Sequence, residues 1–485
     1  MSNSKIINEN RISFYSILIG ILFIIPILIL LSPQTAFGVV LFSLILIAFW
    51  YYPEYTILTV IVLRPTIDVL REDYEITLFN CLTFSLYTIF ALLILVLISL
   101  YLLFIAKKKV SYKHNVLAKV LSICLLVFFI INIVSFIRSS QKLDVLREMI
   151  QVACLISAAL FGYIAIQTKR ISLSTVKNFV LVSLVFPVLA SFWQLATGGI
   201  SSRVQATFIH PNKAGEFFAI ALIVYIITIL HQKRISVFDI LVVSTTFILL
   251  IFTQSRTALF SFLTFAVLSL GTKYYKLFII TGLLFIISIF SIEFLYERFY
   301  EDLVHPATVT NSYAWREELW ADMKPKMLER PFFGYGLGTS EEVCKSVRGF
   351  YKGSCYAHSD YYLMILETGT IGLALYMSLY LLFTLYFGLK FFQEKNKKRY
   401  TYLAISAIGI AIPVLGYALA PFMNRPAMGI LWLFLGMIVA LESADSTDQS
   451  IKQKNNFRKN LAKYCQPNLA KILSRPYRNV IPLAI

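Results

Sequence analysis

The chain has 485 residues, 58% of them from the AVILMFWYC set and 14% charged, where globular proteins average about 45–50% and about 25%. That much apolar side chain exceeds what a soluble interior could hide, so the length is read as membrane spans rather than as roughly three soluble domains. The formal charge of +18 raises nucleic acid as a partner, a question settled by where the charges sit.

A span takes about 20 largely apolar residues. In chain order such runs cover roughly 12–31, 36–51, 54–67, 76–105, 115–137, 149–167, 173–196, 214–231, 237–253, 256–271, 276–292, 359–391, 400–419 and 427–441. The third, with Pro65 and Asp68, and the tenth are short, so the expectation is an all-α polytopic membrane protein of 12–14 spans. No cleavable leader is expected, because the first run enters the polytopic pattern without a small-residue cleavage site.

With fourteen spans, alternate loops fall on alternate sides, and the positive-inside rule orients the chain. The side carrying both termini holds 27 Lys and Arg against 7 Asp and Glu, including Lys107–Lys109, Lys169–Arg170, Lys233–Arg234 and eight basic residues from Lys452 onward. The opposite side holds 17 and 19. Both termini are therefore expected in the cytoplasm. The basic residues are scattered over short turns rather than gathered on one face with interleaved aromatics, which argues against nucleic acid. The basic tail is expected to lie against anionic membrane lipid.

Four parts are expected: a helix bundle over 1–292, an outer loop over 293–357, C-terminal spans over 358–441, and a basic tail over 442–485. Cys344 and Cys355 lie in the outer loop, where an oxidising compartment would favour a disulfide. Cys81, Cys124 and Cys154 fall in apolar runs and read as small core residues. No Cys/His spacing resembles a zinc site.

Within the outer loop, Asn311–Trp320 reads as a helix start capped by Asn311 or Ser312. Trp315, Leu319, Met323 and Met327 recur at steps of four, an apolar stripe suited to the membrane surface, and Pro325 is expected to kink or end the helix. Arg316 faces away from that stripe. Gly334, Gly336 and Gly338 alternate as in a turn-forming loop, without the strand that a nucleotide fingerprint requires. His358 stands where the loop meets the twelfth span, and Glu367, about 13 Å further along a helix, is a functional candidate because ionisable groups at such depth are costly.

Three more arginines stand at outer span ends: Arg203, Arg256 and Arg425. Arg425 fits a side chain reaching out to headgroups. Arg256, wedged between two apolar runs, does not. Arg203, Arg256, Arg316, His358 and Glu367 thus collect on one face, with His210 and His305 near them in sequence. Arginine grips phosphate oxygens in a planar, multidentate way, and histidine accepts protons near neutral pH. The set suits a phosphate-bearing lipid and a hydroxyl nucleophile.

From about Arg203 to Gly372 the sequence resembles the O-antigen ligase family, which includes polysaccharide polymerases and some O-oligosaccharyltransferases. Five ordered fragments carry the resemblance: Arg203…Ala206-Thr207-Phe208…Pro211-Asn212; Thr253-Gln254-Ser255-Arg256; Arg316…Trp320; Arg330-Pro331…Gly334-Tyr335-Gly336-Leu337-Gly338; and His358-Ser359 followed by Gly369-Thr370-Ile371-Gly372. The resemblance implies a metal-independent glycosyltransferase without cofactor, in the bacterial inner membrane. It would move a glycan from undecaprenyl diphosphate to an acceptor hydroxyl on lipid A-core or another glycan, as a ligase or a polymerase. By the same resemblance Arg256 and Arg316 would hold the diphosphate, Arg203 would assist, His358 would orient or deprotonate the hydroxyl, and Glu367 would support substrate binding. A transporter or flippase is the alternative of another class, although no internal repeat of the kind that marks transporters is evident.

Overall fold

The structure, a computed structural model, describes residues 33–66, 68, 75–78, 82–104, 116–139, 141–199, 202–232, 235–269, 312–349, 355, 357–396 and 398–443, with isolated positions between 275 and 283. The expected span 12–31, most of the expected span 276–292, His305, Cys81 and the basic tail lie outside the described residues.

The chain is an all-α polytopic membrane protein. Its described helices are α1 (Pro33–Tyr51), α2 (Pro53–Leu63), α3 (Leu86–Phe104), α4 (Val116–Arg138), α5 (Lys142–Gln167), α6 (Leu173–Gly198), α7 (Pro211–His231), α8 (Val237–Phe252), α9 (Arg256–Leu268), α10 (Ser312–Glu329), α11 (Ser340–Arg348), α12 (Asp360–Gln393), α13 (Arg399–Ala418) and α14 (Arg425–Ser443). Among the described residues seven helices, α4 to α7 and α12 to α14, are long and apolar enough to cross a membrane, and shorter apolar helices lie at Val40–Tyr51, Thr88–Phe104, Val237–Phe252 and Arg256–Leu268.

Two expected spans take a different form. The run 54–67 is the 11-residue α2 followed by a 3-10 turn at Arg64–Thr66. It nevertheless reaches both ends of the bundle. Glu54 lies 3.8 Å from Arg170 after α5, and the Pro65 carbonyl accepts from Thr207 beyond α6 at 2.7 Å. The run 76–105 is not one helix: β1 (Glu75–Leu78) pairs antiparallel with β2 (Leu82–Ser85), Ile76 opposite Phe84, before α3 begins. Ile76-Thr77-Leu78 and Leu82-Thr83-Phe84 alternate with period two and carry β-formers, which sets this stretch apart from the unbroken apolar run of α3.

Helix α12 is broken in its first third. Gly369 has φ 71° and ψ −176°, and the carbonyls freed before the break are taken by the glycine loop. Tyr335 N–H donates to Leu366 O at 2.9 Å and Gly336 N–H to Glu367 O at 2.8 Å, while Thr370 N–H donates to Pro331 O at 2.8 Å. A Cβ on Gly334 would strike the Leu366 and Glu367 carbonyls, and one on Gly369 the Phe332 carbonyl. Backbone polar groups at membrane depth must be paired inside the protein, and these glycines allow the loop close enough to do it. Gly369→Ala should therefore cost about 1–3 kcal/mol for this glycine-only backbone conformation alone, and more for the collision. Thermal unfolding in detergent would show it as a lowered midpoint, and an unchanged midpoint would contradict this account.

The stripe of α10 packs inward rather than onto the membrane surface. Leu319, Met323 and Met327 are buried with Cys344, Cys355, Ala357, Leu363 and Leu366 in a small core above α12. Apolar burial within the protein competes with burial in lipid, and the facing segments supply the partners. Pro325 does not end α10, which runs to Glu329. Cys344 and Cys355 are joined in a disulfide with Cα atoms 5.5 Å apart, tying α11 to the segment that leads into His358.

Candidate functional site

Four chain segments meet at one end of the bundle. The first follows α6. Gln194 holds it in place, its Oε1 accepting from the N–H groups of Gln205 and Ala206 at 3.0 and 2.9 Å. Arg203 then spans a gap, donating from Nε to the Thr253 carbonyl at 3.2 Å and from Nη2 to Asn212 Oδ1 at 2.9 Å. His210 caps α7 by accepting from the Asn212 N–H at Nδ1, 3.1 Å away, which leaves Nε2 as its N–H edge. The second segment is the turn Thr253–Ser255 between α8 and α9, from which Arg256 opens α9. The third is the first turn of α10, with Trp315 and Arg316. The fourth is the approach to α12, with His358.

His358 is held by its neighbours. Trp320 stacks on Tyr362 with ring centroids 4.5 Å apart and donates its indole N–H to the Ala357 carbonyl at 2.7 Å. The Trp315 ring meets His358 edge to face at 5.5 Å. Ser359 Oγ donates to the Gly416 carbonyl at 3.2 Å. His358 itself has φ 50°, and Gln254 and Ala206, the latter beside Arg203, have φ 53° and 54°. Left-handed backbone in residues with a Cβ is costly and gathers at functional sites.

These segments enclose a cavity of about 200 Å³ lined by Arg203, His210, Asn212, Gln254, Ser255 and Arg256, then Thr257, Trp315, Arg316, His358 and Leu419. Among the described residues, three arginines and two histidines line it. The surroundings act on both histidines. Burial, then Arg316, Lys213 and His210, push His358 from its ordinary 6.5 down to about 3. Burial, then Arg203, Lys213 and Arg316, lower His210 as well. His358 is thus neutral at pH 7, as a proton acceptor must be.

This shift has a stability consequence with a definite sign. Between pH 6.5 and about 3 the unfolded chain binds a proton on this residue that the folded chain refuses, so the neutral histidine's contribution is present above 6.5 and lost as the pH falls toward 3. The thermal midpoint should fall over that window more steeply in the wild type than in His358→Gln, and parallel profiles would refute the shift.

The structure brings together Arg203, Arg256, Arg316 and His358. It does not bring Glu367 to them. Glu367 is buried behind the glycine loop, where Oε1 accepts from the Ser340 N–H at 3.3 Å, at the N-terminus of α11. A carboxylate favours that helix end, so its role is to seat α11, not to line the cavity. Asp360 is likewise structural, accepting from Tyr376 at 2.6 Å and from the Phe422 N–H at 3.2 Å. Arg425 does not reach for headgroups. Its side chain is 1% exposed, pairs with Glu148 of α5 and stacks 4.3 Å over Phe422.

Sequence reasoning missed Asn212, Gln254, Trp315 and Lys213. Asn212 and Gln254 lie within fragments already noted, beside the arginines they serve. Lys213 carried no signal, since its Nζ lies 3.2 Å from Glu216 and donates to the Ala420 carbonyl at 2.9 Å, joining α7 to the turn before α14.

Residues 240–377 match a family model described as O-antigen ligase. The matched region carries Arg256, Arg316 and His358, and Arg203 and His210 precede it. The chain therefore contains a domain of the O-antigen ligase family, set in a multi-pass membrane protein. No curated protein matches the chain.

Proposed function

We propose that the protein is a glycosyltransferase that moves a glycan from undecaprenyl diphosphate to an acceptor hydroxyl on the outer face of the bacterial inner membrane, with both termini in the cytoplasm and no metal required. The observation that carries this reading is the single cavity shared by Arg203, Arg256, Arg316 and His358. A wall of three guanidinium groups suits a doubly charged phosphate-bearing anion. In the reaction the acceptor oxygen attacks the sugar's anomeric carbon, His358 takes the hydroxyl proton, and the bond to the diphosphate breaks with its electron pair leaving on phosphate oxygen. Arg256 and Arg316 then offset charge that grows in the transition state, where preorganised donors contribute most.

The incoming diphosphate also brings negative charge into this cationic lining. It opposes the cations that depress His358 and raises its basicity, so a bound donor prepares the base that the acceptor needs. The Cys344–Cys355 disulfide agrees with an oxidising outer compartment.

A ligase and a polymerase share this donor and differ in acceptor, lipid A-core or a second glycan. Surface glycan from a deletion strain separates them: unmodified core with full-length carrier-linked polymer marks the ligase we propose, and core bearing a single repeat marks a polymerase. Broken helices occur in transporters at substrate sites, and α12 is broken at Gly369. Its freed groups, however, are taken by the chain's own loop. Reconstituted protein that translocated glycolipid without forming a glycosidic bond would overturn the enzymatic reading.

A further inference from the structure

A second cavity, of about 430 Å³, lies between α4, α5, α12 and α14 and shares no lining residue with the arginine cavity. Its size falls within the roughly 300–1,000 Å³ of ligand sites. Its α12 residues begin at Leu379, ten positions beyond the break at Gly369, or about 15 Å along the second part of that helix at 1.5 Å per residue, on the side of the break away from His358.

The space is built by small residues. Ala118, Ala153 and Gly436 line it where larger side chains would fill it, and a Cβ on Gly436 would collide with the Ala159 carbonyl. The backbones of α5 and α14 therefore touch and form its floor. Its mouth faces sideways through Ser122, Leu126 and Leu160, which are exposed, toward the same surroundings as the apolar outer face of α4. Trp432 is buried in its lining.

We propose that this cavity binds one acyl chain of a glycerophospholipid, whose phosphate headgroup rests on Lys119. Lys119, Ser122 and Leu126 stand at steps of three and four on α4, one stripe of the helix. The exposed ammonium group of Lys119 therefore lies one turn beyond the mouth, where a headgroup would sit if its chain entered past Ser122. A lateral opening at membrane depth gives access to lipid hydrocarbon and not to water, and a cation at the rim selects a phosphate-bearing lipid over a neutral one.

Native mass spectrometry of the detergent-purified full-length protein should find one phospholipid per chain. Ser157→Phe, which fills the cavity, should abolish retention, and Lys119→Glu should lower it about fivefold. Phospholipid with brominated chains should quench the fluorescence of the wild type more than that of Trp432→Phe, an arm that does not depend on the filled variant folding. Wild-type protein free of lipid, Ser157→Phe with undiminished lipid, or equal quenching in the two proteins would each overturn the proposal. In the lipid-free case the apolar run 12–31 becomes the occupant to test.

Discussion

Alanine at Arg256 or Arg316 is expected to lower glycan transfer by about 10²–10³-fold, the usual cost of removing one preorganised donor from a developing anion. Alanine at His358 should lower it by about 10²–10⁴-fold, the range of general base catalysis. Arg316→Lys keeps the charge but loses the planar fork, so its activity should fall between wild type and alanine. The measurement is transfer of carrier-linked glycan to acceptor by purified protein, with protein level followed in parallel. Arg330 serves as the control: it belongs to the same stretch of chain, is exposed over Tyr335 and does not line the cavity. Arg330→Ala should retain transfer. If alanine at all three cavity residues left transfer intact, the cavity would not be the reaction centre.

Most of the scaffold was legible because hydropathy reports insertion directly: α4 to α9 and α12 to α14 fall within a few residues of the expected runs, apart from α5 starting seven residues early. Four of the five residues placed in the site from sequence converge on the cavity, because an arginine at the end of an apolar run away from the orienting side is costly enough to need a reason. What hydropathy could not tell was whether an apolar or charged group meets lipid or protein. The Trp315 stripe and Arg425 were both assigned to the membrane boundary, and both pack inside. The partner of Arg425 is 277 positions away, and no local pattern announces a pairing over that distance. Glu367 was recognised as unusual, but whether a buried carboxylate serves a substrate or a helix end depends on which backbone N–H lies opposite it.

The pairing of Arg425 with Glu148 should have the largest effect on stability. Arg425 donates to the Phe422 carbonyl at 2.6 Å as well as to Glu148, so its guanidinium is held in the protein interior. Glu148→Ala leaves that charge buried without its carboxylate, at a cost of about 3–5 kcal/mol, enough to empty much of the folded population of a marginally stable chain. Glu148→Gln keeps an acceptor and should cost less. Removing both charges with Glu148→Leu and Arg425→Met should recover most of the loss, because well-packed apolar groups replace a buried ion pair at little cost. Thermal midpoints in detergent would show this order, and a Glu148→Ala midpoint equal to wild type would disprove the role of the pair. The damage should also reach the chemistry. Arg425 follows the turn from which Asn424 donates to the Lys213 carbonyl at 2.9 Å, and Lys213 adjoins Asn212 in the cavity wall. A variant that folds without the pair should therefore lose transfer beyond its loss of stability, as α7 and its histidine cap shift against the arginines of α9 and α10.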